Sequence, residues 1–136
     1  MTDGAGYSKR SLIEKLGVKS GMRIAFVYAP DEYAPGVLPA GVELDLTPPL
    51  DLIQLFARDF ATLDGDFDRL TALLKPNGML WVSWYKKSAG IPTDLDENII
   101  RDYGLAHGLV DVKVIAVDPV WSGLKFVYRL KKRSEN

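Results

Sequence analysis

A strand, a helix and a second strand follow one another closely in the middle of this chain. The apolar run at residues 51–57 is typical of a strand buried on both faces, and residues 59–74 carry apolar side chains at helical spacing. Pro76-Asn77-Gly78 then ends the predicted helix, and residues 79–85 form another apolar run. A helical connection of this length joins parallel strands through a right-handed crossover. The chain is therefore predicted to be an α/β protein with a mostly parallel sheet.

Further strands are predicted on both sides of this unit. Residues 22–28 form a β-rich apolar run that Ala29-Pro30 closes, and residues 42–46 alternate in polarity like a half-buried edge strand. Near the carboxyl terminus, residues 110–117 and 124–130 are β-rich and are separated by a loop at 118–123. That loop is too short for a crossover, so the last two strands should form an antiparallel hairpin.

Two more helices complete the pattern. The first is predicted over residues 8–16, because Ser11 and Glu14 have the spacing of a capping box, although Ser8 is an equally good cap. The second is capped by Asp94 or Asp96 and ends near residues 104–108. Helices on both faces of the sheet would give a three-layer, Rossmann-like architecture.

Length and composition indicate one domain and exclude several classes of function. The chain has 136 residues, so residues 8–131 are predicted to form a single domain between flexible tails at 1–7 and 132–136. A net charge of -1 argues against general nucleic-acid binding, and the lack of cysteine excludes thiolate zinc sites and thiol nucleophiles. No apolar run approaches the roughly 20 residues that span a bilayer, and no secretory signal is evident. We therefore expect a cytoplasmic protein that binds neither membranes nor nucleic acid.

Two sets of motifs carry a resemblance to known families. The series Lys15-Leu16-Gly17, Gly21-Met22-Arg23-Ile24 and Leu74-Lys75-Pro76-Asn77-Gly78 resembles the class I S-adenosylmethionine-dependent methyltransferases, and the likeness covers most of residues 8–131. Trp84-Tyr85-Lys86-Lys87 and residues 117–126 also resemble a family of short bacterial proteins of the domain-of-unknown-function kind. The first resemblance implies a methyltransferase-like sheet that ends in an antiparallel hairpin. The second implies no activity.

The segment after the first strand departs from the methyltransferase pattern. The resemblance implies a Gly-rich loop there, which lets the backbone approach the cofactor, and an acidic residue at the end of the next strand. Residues 28–36 contain no Gly-x-Gly, and Pro30 removes a backbone donor. Residues 29–50 are also too few for two strand–helix units. The cofactor half of the fold is thus predicted to be truncated, and neither S-adenosylmethionine nor any other cofactor is expected.

Polar residues follow two of the predicted parallel strands, where open α/β sheets bind their ligands. Asp31, Glu32 and Tyr33 follow the first strand, and the two carboxylates could bind hydroxyls or a cation, or belong to a solvated loop. Lys86 and Lys87 follow the third strand, and they could hold a phosphate or carboxylate, or form an ordinary surface pair. A small anionic ligand is therefore one predicted partner.

Three other positions are weighed in the same way. Trp121, in the predicted hairpin loop, either folds back onto the core, which we favour, or offers a flat binding surface. Arg58-Asp59 follows the middle strand and is either part of a site or an ion pair that leads into the helix. His107 is the only histidine and has no cysteine or second histidine to work with, so it is interpreted as structural and no metal site is predicted.

Two functions remain open on these observations. The chain is either a methyltransferase-like domain that has lost catalysis and acts as a binding or interaction module, or a small enzyme acting on an anionic metabolite. A single pocket that holds Asp31, Lys86 and Trp121 together would favour the enzyme.

The shortened first half also predicts an exposed sheet edge. Strand 22–28 should have at most one outer neighbour, the segment 42–46. Because an open edge invites pairing with another chain, we expect it to be covered by the Pro-rich loop 35–49 or buried in a homodimer.

Overall fold

The protein is described by a computed structural model that covers residues 10–129. The predicted tails at 1–7 and 132–136 and the alternative cap Ser8 lie outside the described residues. Within residues 10–129 the strands form one sheet in the order β2-β1-β3-β4-β6-β5. The strands are β1 (Arg23–Val27), β2 (Glu43–Leu44), β3 (Leu50–Phe56), β4 (Leu74–Tyr85), β5 (Leu109–Ala116) and β6 (Trp121–Tyr128).

Strand direction confirms the predicted topology. Strands β2, β1, β3 and β4 are parallel, whereas β6 is antiparallel to both β4 and β5. The sheet is therefore mostly parallel and closes in an antiparallel hairpin, as expected.

Helices lie on both faces of the sheet. They are α1 (Leu12–Leu16), α2 (Phe60–Thr71) and α3 (Glu97–Ala106). Leu16 of α1 packs in one buried cluster with Leu52 and Trp81, on the face called here the α1 face. Phe67 of α2 and Ile100 of α3 belong to the larger cluster on the opposite face. The three-layer architecture is thus present, with one layer reduced to a five-residue helix.

Helix α1 begins at Leu12, four residues after the start of its predicted range. Ser11 is the cap: its side chain accepts from the Glu14 amide at 3.2 Å, and the Glu14 carboxylate accepts from the Ser11 amide at 2.9 Å. Gly17, with φ 91°, ends the helix in the left-handed conformation that glycine favours. The capping box therefore fixes the start of α1, and Gly17 fixes its end.

Asp94 and Asp96, which the sequence offers as alternative caps, each cap a different helix. Asp96 Oδ1 accepts from the Ile99 amide at 2.8 Å and caps α3. Asp94 Oδ1 instead accepts from the Phe60 amide at 2.8 Å, at the first residue of α2. The loop before α3 is thereby attached to the amino-terminal end of α2.

The predicted boundary between α2 and β4 is wrong. Helix α2 ends at Thr71 rather than residue 74, and β4 begins at Leu74, so Pro76-Asn77-Gly78 lies inside the strand. The register with β3 shifts at this point, which is where a proline is tolerated in a strand. A Cβ on Gly78 would lie 3.1 Å from the Leu50 carbonyl oxygen. A side chain here would crowd the bulged backbone against β3.

The hairpin loop is also shorter than predicted. Strand β6 begins at Trp121 instead of residue 124, because Asp118 tightens the turn. Its Oδ1 accepts from the Val120 amide at 2.8 Å and the Trp121 amide at 2.9 Å. Trp121 is therefore a strand residue and not the tip of a loop.

The chain between β1 and β3 contains no helix in the structure. Its only regular element is β2, which pairs with β1 and is the single outer neighbour of that strand among the described residues. The expectation that this edge strand is half-buried is wrong, because Glu43 and Leu44 are both exposed. Glu43 instead forms a surface ion pair with Arg23 at 2.9 Å. No helix in the described part of the chain is long and apolar enough to cross a membrane.

Candidate functional site

Aromatic side chains fill the space over the carboxyl ends of β1 and β3 on the α1 face. Tyr33 packs edge-on against Phe26 and Phe56, with ring centroids 5.4 Å and 4.8 Å apart. Phe56 in turn contacts Trp121 at 5.0 Å, and Trp121 lies against Tyr85 at 4.4 Å. Phe56 and Trp121 are buried, with 0% and 3% of their surface exposed. We refer to these five residues as the aromatic cluster.

A chain of hydrogen bonds anchors Tyr33 to the centre of the sheet. The Tyr33 hydroxyl donates to Gln54 Oε1 at 2.6 Å, and Gln54 Nε2 donates to Ser83 Oγ at 2.9 Å. Gln54 and Ser83 are fully buried on β3 and β4. Burial strongly raises the pKa of the Tyr33 hydroxyl, and the negative charge of Asp118 adds to the rise. The Tyr33 hydroxyl is therefore neutral and donates to the amide oxygen of Gln54. Without this donor, the buried oxygen would be unpaired, which costs free energy.

Sequence reasoning missed Gln54 and Ser83, although a signal was present. Each is a single polar residue inside an apolar run, at residues 51–57 and 79–85. Because a buried polar side chain needs a partner, two such residues on predicted neighbouring strands indicate a hydrogen-bonded pair.

The residues around the aromatic cluster do not fit S-adenosylmethionine, the cofactor that the methyltransferase resemblance implies. A Gly-rich turn after β1 would leave room beside the backbone, but the ring of Tyr33 occupies this position. The one glycine of the segment, Gly36, faces α1 instead: a Cβ there would lie 3.6 Å from Ile13 Cγ1. Within segment 28–36, Tyr33 thus covers the ends of β1 and β3, while residues 28, 31, 32, 34 and 36 are exposed, and the segment does not form a cradle.

The predicted neighbours Asp31, Glu32 and Tyr33 do not act together. Asp31 and Glu32 are exposed on a turn, while Tyr33 points into the aromatic cluster. Neither carboxylate forms an ion pair with any residue of the described range.

A large cleft lies between the end of β4, the next strand along the chain, and the start of α3. It has a volume of about 920 Å³. Lys86 and Lys87 form part of its wall, together with Ser122 of β6. Lys86 is fixed at the strand end because its amide donates to the Val120 carbonyl at 2.8 Å. Apolar surface completes the wall, including Ile91, which is 40% exposed.

The carboxylates in this cleft are already engaged, whereas its lysines are not. Asp94 and Asp96 cap helices, as described above. Glu97 is paired with Arg101, which also bonds Asp111. Lys86 and Lys87 form no ion pair within residues 10–129. The two lysines are therefore free to bind a ligand, although with Arg101 counted the cations and carboxylates of the cleft balance in number.

Asp31, Lys86 and Trp121 do not share a pocket. Lys86 lines the cleft, Trp121 is buried in the aromatic cluster, and Asp31 lies on the exposed turn after β1. The single pocket that would favour an enzyme is absent from the described part of the chain.

Arg58 and Asp59 have separate partners and do not form an ion pair with each other. The Arg58 guanidinium lies 5.5 Å from the centre of the Trp121 ring and donates to the Tyr28 carbonyl at 3.1 Å. Asp59 accepts from the Thr62 amide and caps α2. Both residues therefore stabilise the fold.

His107 is held between α2 and α3. Its Nδ1 lies 2.8 Å from Asp68 Oδ1, and its ring stacks on Tyr103 with centroids 3.9 Å apart. No group of three or more potential metal ligands occurs among residues 10–129.

Comparison with solved structures places the fold among methyltransferase-like Rossmann folds. Fibrillarin, a pre-rRNA processing protein of Methanococcus jannaschii, aligns with a TM-score of 0.54 at 14% identity, over 82% of this chain and 68% of its own. The ribosomal protein L11 methylase of Lactobacillus delbrueckii subsp. bulgaricus aligns with a TM-score of 0.53 at 13% identity, over 86% of this chain and 74% of its own. TrmN of Thermus thermophilus aligns with a TM-score of 0.55 at 14% identity. The alignment covers 87% of this chain but only 47% of TrmN.

These likenesses establish the fold alone, because all three identities are low. No protein-family model and no curated protein matches the sequence. The narrower resemblance to a short bacterial family remains a prediction.

Proposed function

We propose that this chain is a methyltransferase-like binding module that does not use S-adenosylmethionine. The observation that carries the proposal is Tyr33, whose ring and hydroxyl occupy the space over the ends of β1 and β3. A ligand at this position would have to displace the ring and leave Gln54 without its donor. Tyr33 is half-buried, so its displacement would lose ring contacts as well as the Gln54 hydrogen bond, and the unpaired buried acceptor alone would cost about 1–3 kcal/mol, which the ligand would have to supply before it gained any affinity.

Missing contacts would further weaken the binding of S-adenosylmethionine. Segment 28–36 has no glycine turn to bring backbone donors close, and the two residues of β2 end without a buried carboxylate. Two lost charge-assisted or backbone hydrogen bonds, each worth roughly 1.5–3 kcal/mol, would reduce affinity by about two to four orders of magnitude.

The ligand surface of the module is the cleft beside α3. Two lysines that form no ion pair within residues 10–129 line it at the carboxyl end of β4, while its carboxylates accept from helix amides or pair with Arg101. We therefore propose a small anion with a phosphate or carboxylate group as the ligand, held by Lys86 and Lys87.

A melting experiment tests the cleft. Phosphate should raise the melting temperature more than chloride does at matched ionic strength, because a ligand that binds only the folded state stabilises it. The double variant Lys86→Ala/Lys87→Ala should reduce this difference. Lys15→Ala/Lys19→Ala removes the same charge elsewhere and should retain the difference in full. An equal loss in both variants, or no loss in the first, would refute the anion site.

A further inference from the structure

A pair of lysines faces one another across the hairpin, away from the cleft. Lys113 of β5 is paired in register with Lys125 of β6, and Lys125 is in turn paired with Trp81 of β4. Because residues that are paired in register share a face of the sheet, both lysines lie on the α1 face, with Trp81. Like charges placed directly opposite in this way destabilise a sheet.

A β-bulge creates the pairing. Asp111 is paired with Phe126 and Lys113 with Lys125, so two steps along β5 match one step along β6, and Val112 is the extra residue. Without the bulge, Val112 would face Lys125, and Lys113 would point to the other side of the sheet. Bulges commonly re-aim a side chain at a functional position.

No acidic residue of the described range forms an ion pair with either of the two charges. The neighbouring carboxylate of Asp111 lies on the opposite face, where it accepts from Arg101 Nε at 2.9 Å. Neither Lys113 nor Lys125 has an ion pair within the described range. Lys125 is half-buried, and burial together with the charge of Lys113 lowers its pKa. The sheet thus holds two cations together at a cost that an anion would offset.

We propose that Lys113 and Lys125 form a second binding site, for a phosphate-type dianion, on the open face of the β5–β6 hairpin. The two ammonium groups would each donate to oxygens of one phosphate group, and the bulge sets their spacing. This inference is independent of the cleft at Lys86 and Lys87, since it uses different strands and different residues.

Amide NMR distinguishes the two sites in one titration. Inorganic phosphate, added against chloride at matched ionic strength, should produce saturable shifts at the amides of Lys113 and Lys125. Lys113→Met, at an exposed position, should abolish these shifts, whereas Lys86→Ala/Lys87→Ala should preserve them. Shifts confined to residues 86–88 would overturn this proposal and leave the cleft intact. Shifts on the hairpin that persist in Lys113→Met would overturn it as well.

A melting experiment separates binding from packing. Removing one charge relieves the repulsion between Lys113 and Lys125. In the absence of phosphate, Lys125→Met should therefore melt at a higher temperature than the wild type. When phosphate is added, the variant should lack the part of the stabilisation that comes from the hairpin site. A variant that melts lower without phosphate and keeps the full phosphate response would show that Lys125 serves only packing.

Discussion

Replacing Tyr33 with phenylalanine removes one oxygen atom. The substitution tests whether the Tyr33–Gln54 hydrogen bond holds residue 33 in place over the ends of β1 and β3. The ring can keep its contacts with Phe26 and Phe56, but Gln54 Oε1 loses its donor at a site with 0% exposure. A buried acceptor left without a partner costs about 1–3 kcal/mol. We therefore expect Tyr33→Phe to lower the free energy of unfolding by that amount in urea, with an unchanged denaturant slope.

Tyr85→Phe is the matched control. Tyr85 belongs to the same aromatic cluster, but its hydroxyl forms no hydrogen bond with any residue of the described range. Its loss should change the free energy of unfolding by less than about 0.5 kcal/mol. Equal effects of the two substitutions would refute the role assigned to the Tyr33 hydroxyl.

The pH dependence of unfolding provides a second measure of the same group. The pKa of Tyr33 is raised in the folded protein, while an unfolded tyrosine ionises near pH 10. The unfolded state therefore binds fewer protons above about pH 10, and stability should fall as pH rises there, by up to about 1.4 kcal/mol per pH unit for one such group. Tyr33→Phe should make this decline less steep, and an unchanged slope would contradict the burial of Tyr33.

Three further substitutions test the packing and capping of the helices. Gly104→Ala would place a Cβ 2.1 Å from the buried ring of Phe126, so the free energy of unfolding in urea should fall by at least about 1–3 kcal/mol. Gly65→Ala in α2 has nothing within 4 Å of its Cβ, so it should raise the free energy of unfolding by about 0.5–1 kcal/mol. Equal effects of the two substitutions would contradict the contact with Phe126. Asp94→Ala removes the oxygen that accepts from the Phe60 amide and should lower the free energy of unfolding by about 0.5–2 kcal/mol. An unchanged free energy of unfolding in the same assay would show that Asp94 does not stabilise α2.

Much of the fold follows from local sequence pattern. Residues 51–57 and 79–85 form central strands because their apolar runs suit a position buried on both faces. The antiparallel hairpin follows from the short loop after residue 117. Such features could be predicted because their causes lie within a few residues of one another.

The site depends on contacts between distant segments, which local pattern does not reveal. Asp94 caps α2 rather than α3 because the loop before α3 passes the end of α2. Tyr33 lies in a segment without periodicity, and its position is set by Gln54, which lies 21 residues further along the chain. The pairing of Lys113 with Lys125 depends on a bulge that hydropathy does not indicate.

Calorimetric titration with S-adenosylmethionine and with its demethylated product tests the central claim most directly. With Tyr33 anchored over the ends of β1 and β3, neither compound should bind in the micromolar range, while the same preparation should still respond to phosphate. A micromolar dissociation constant for either compound would contradict the account, because it would mean that the cofactor site is open.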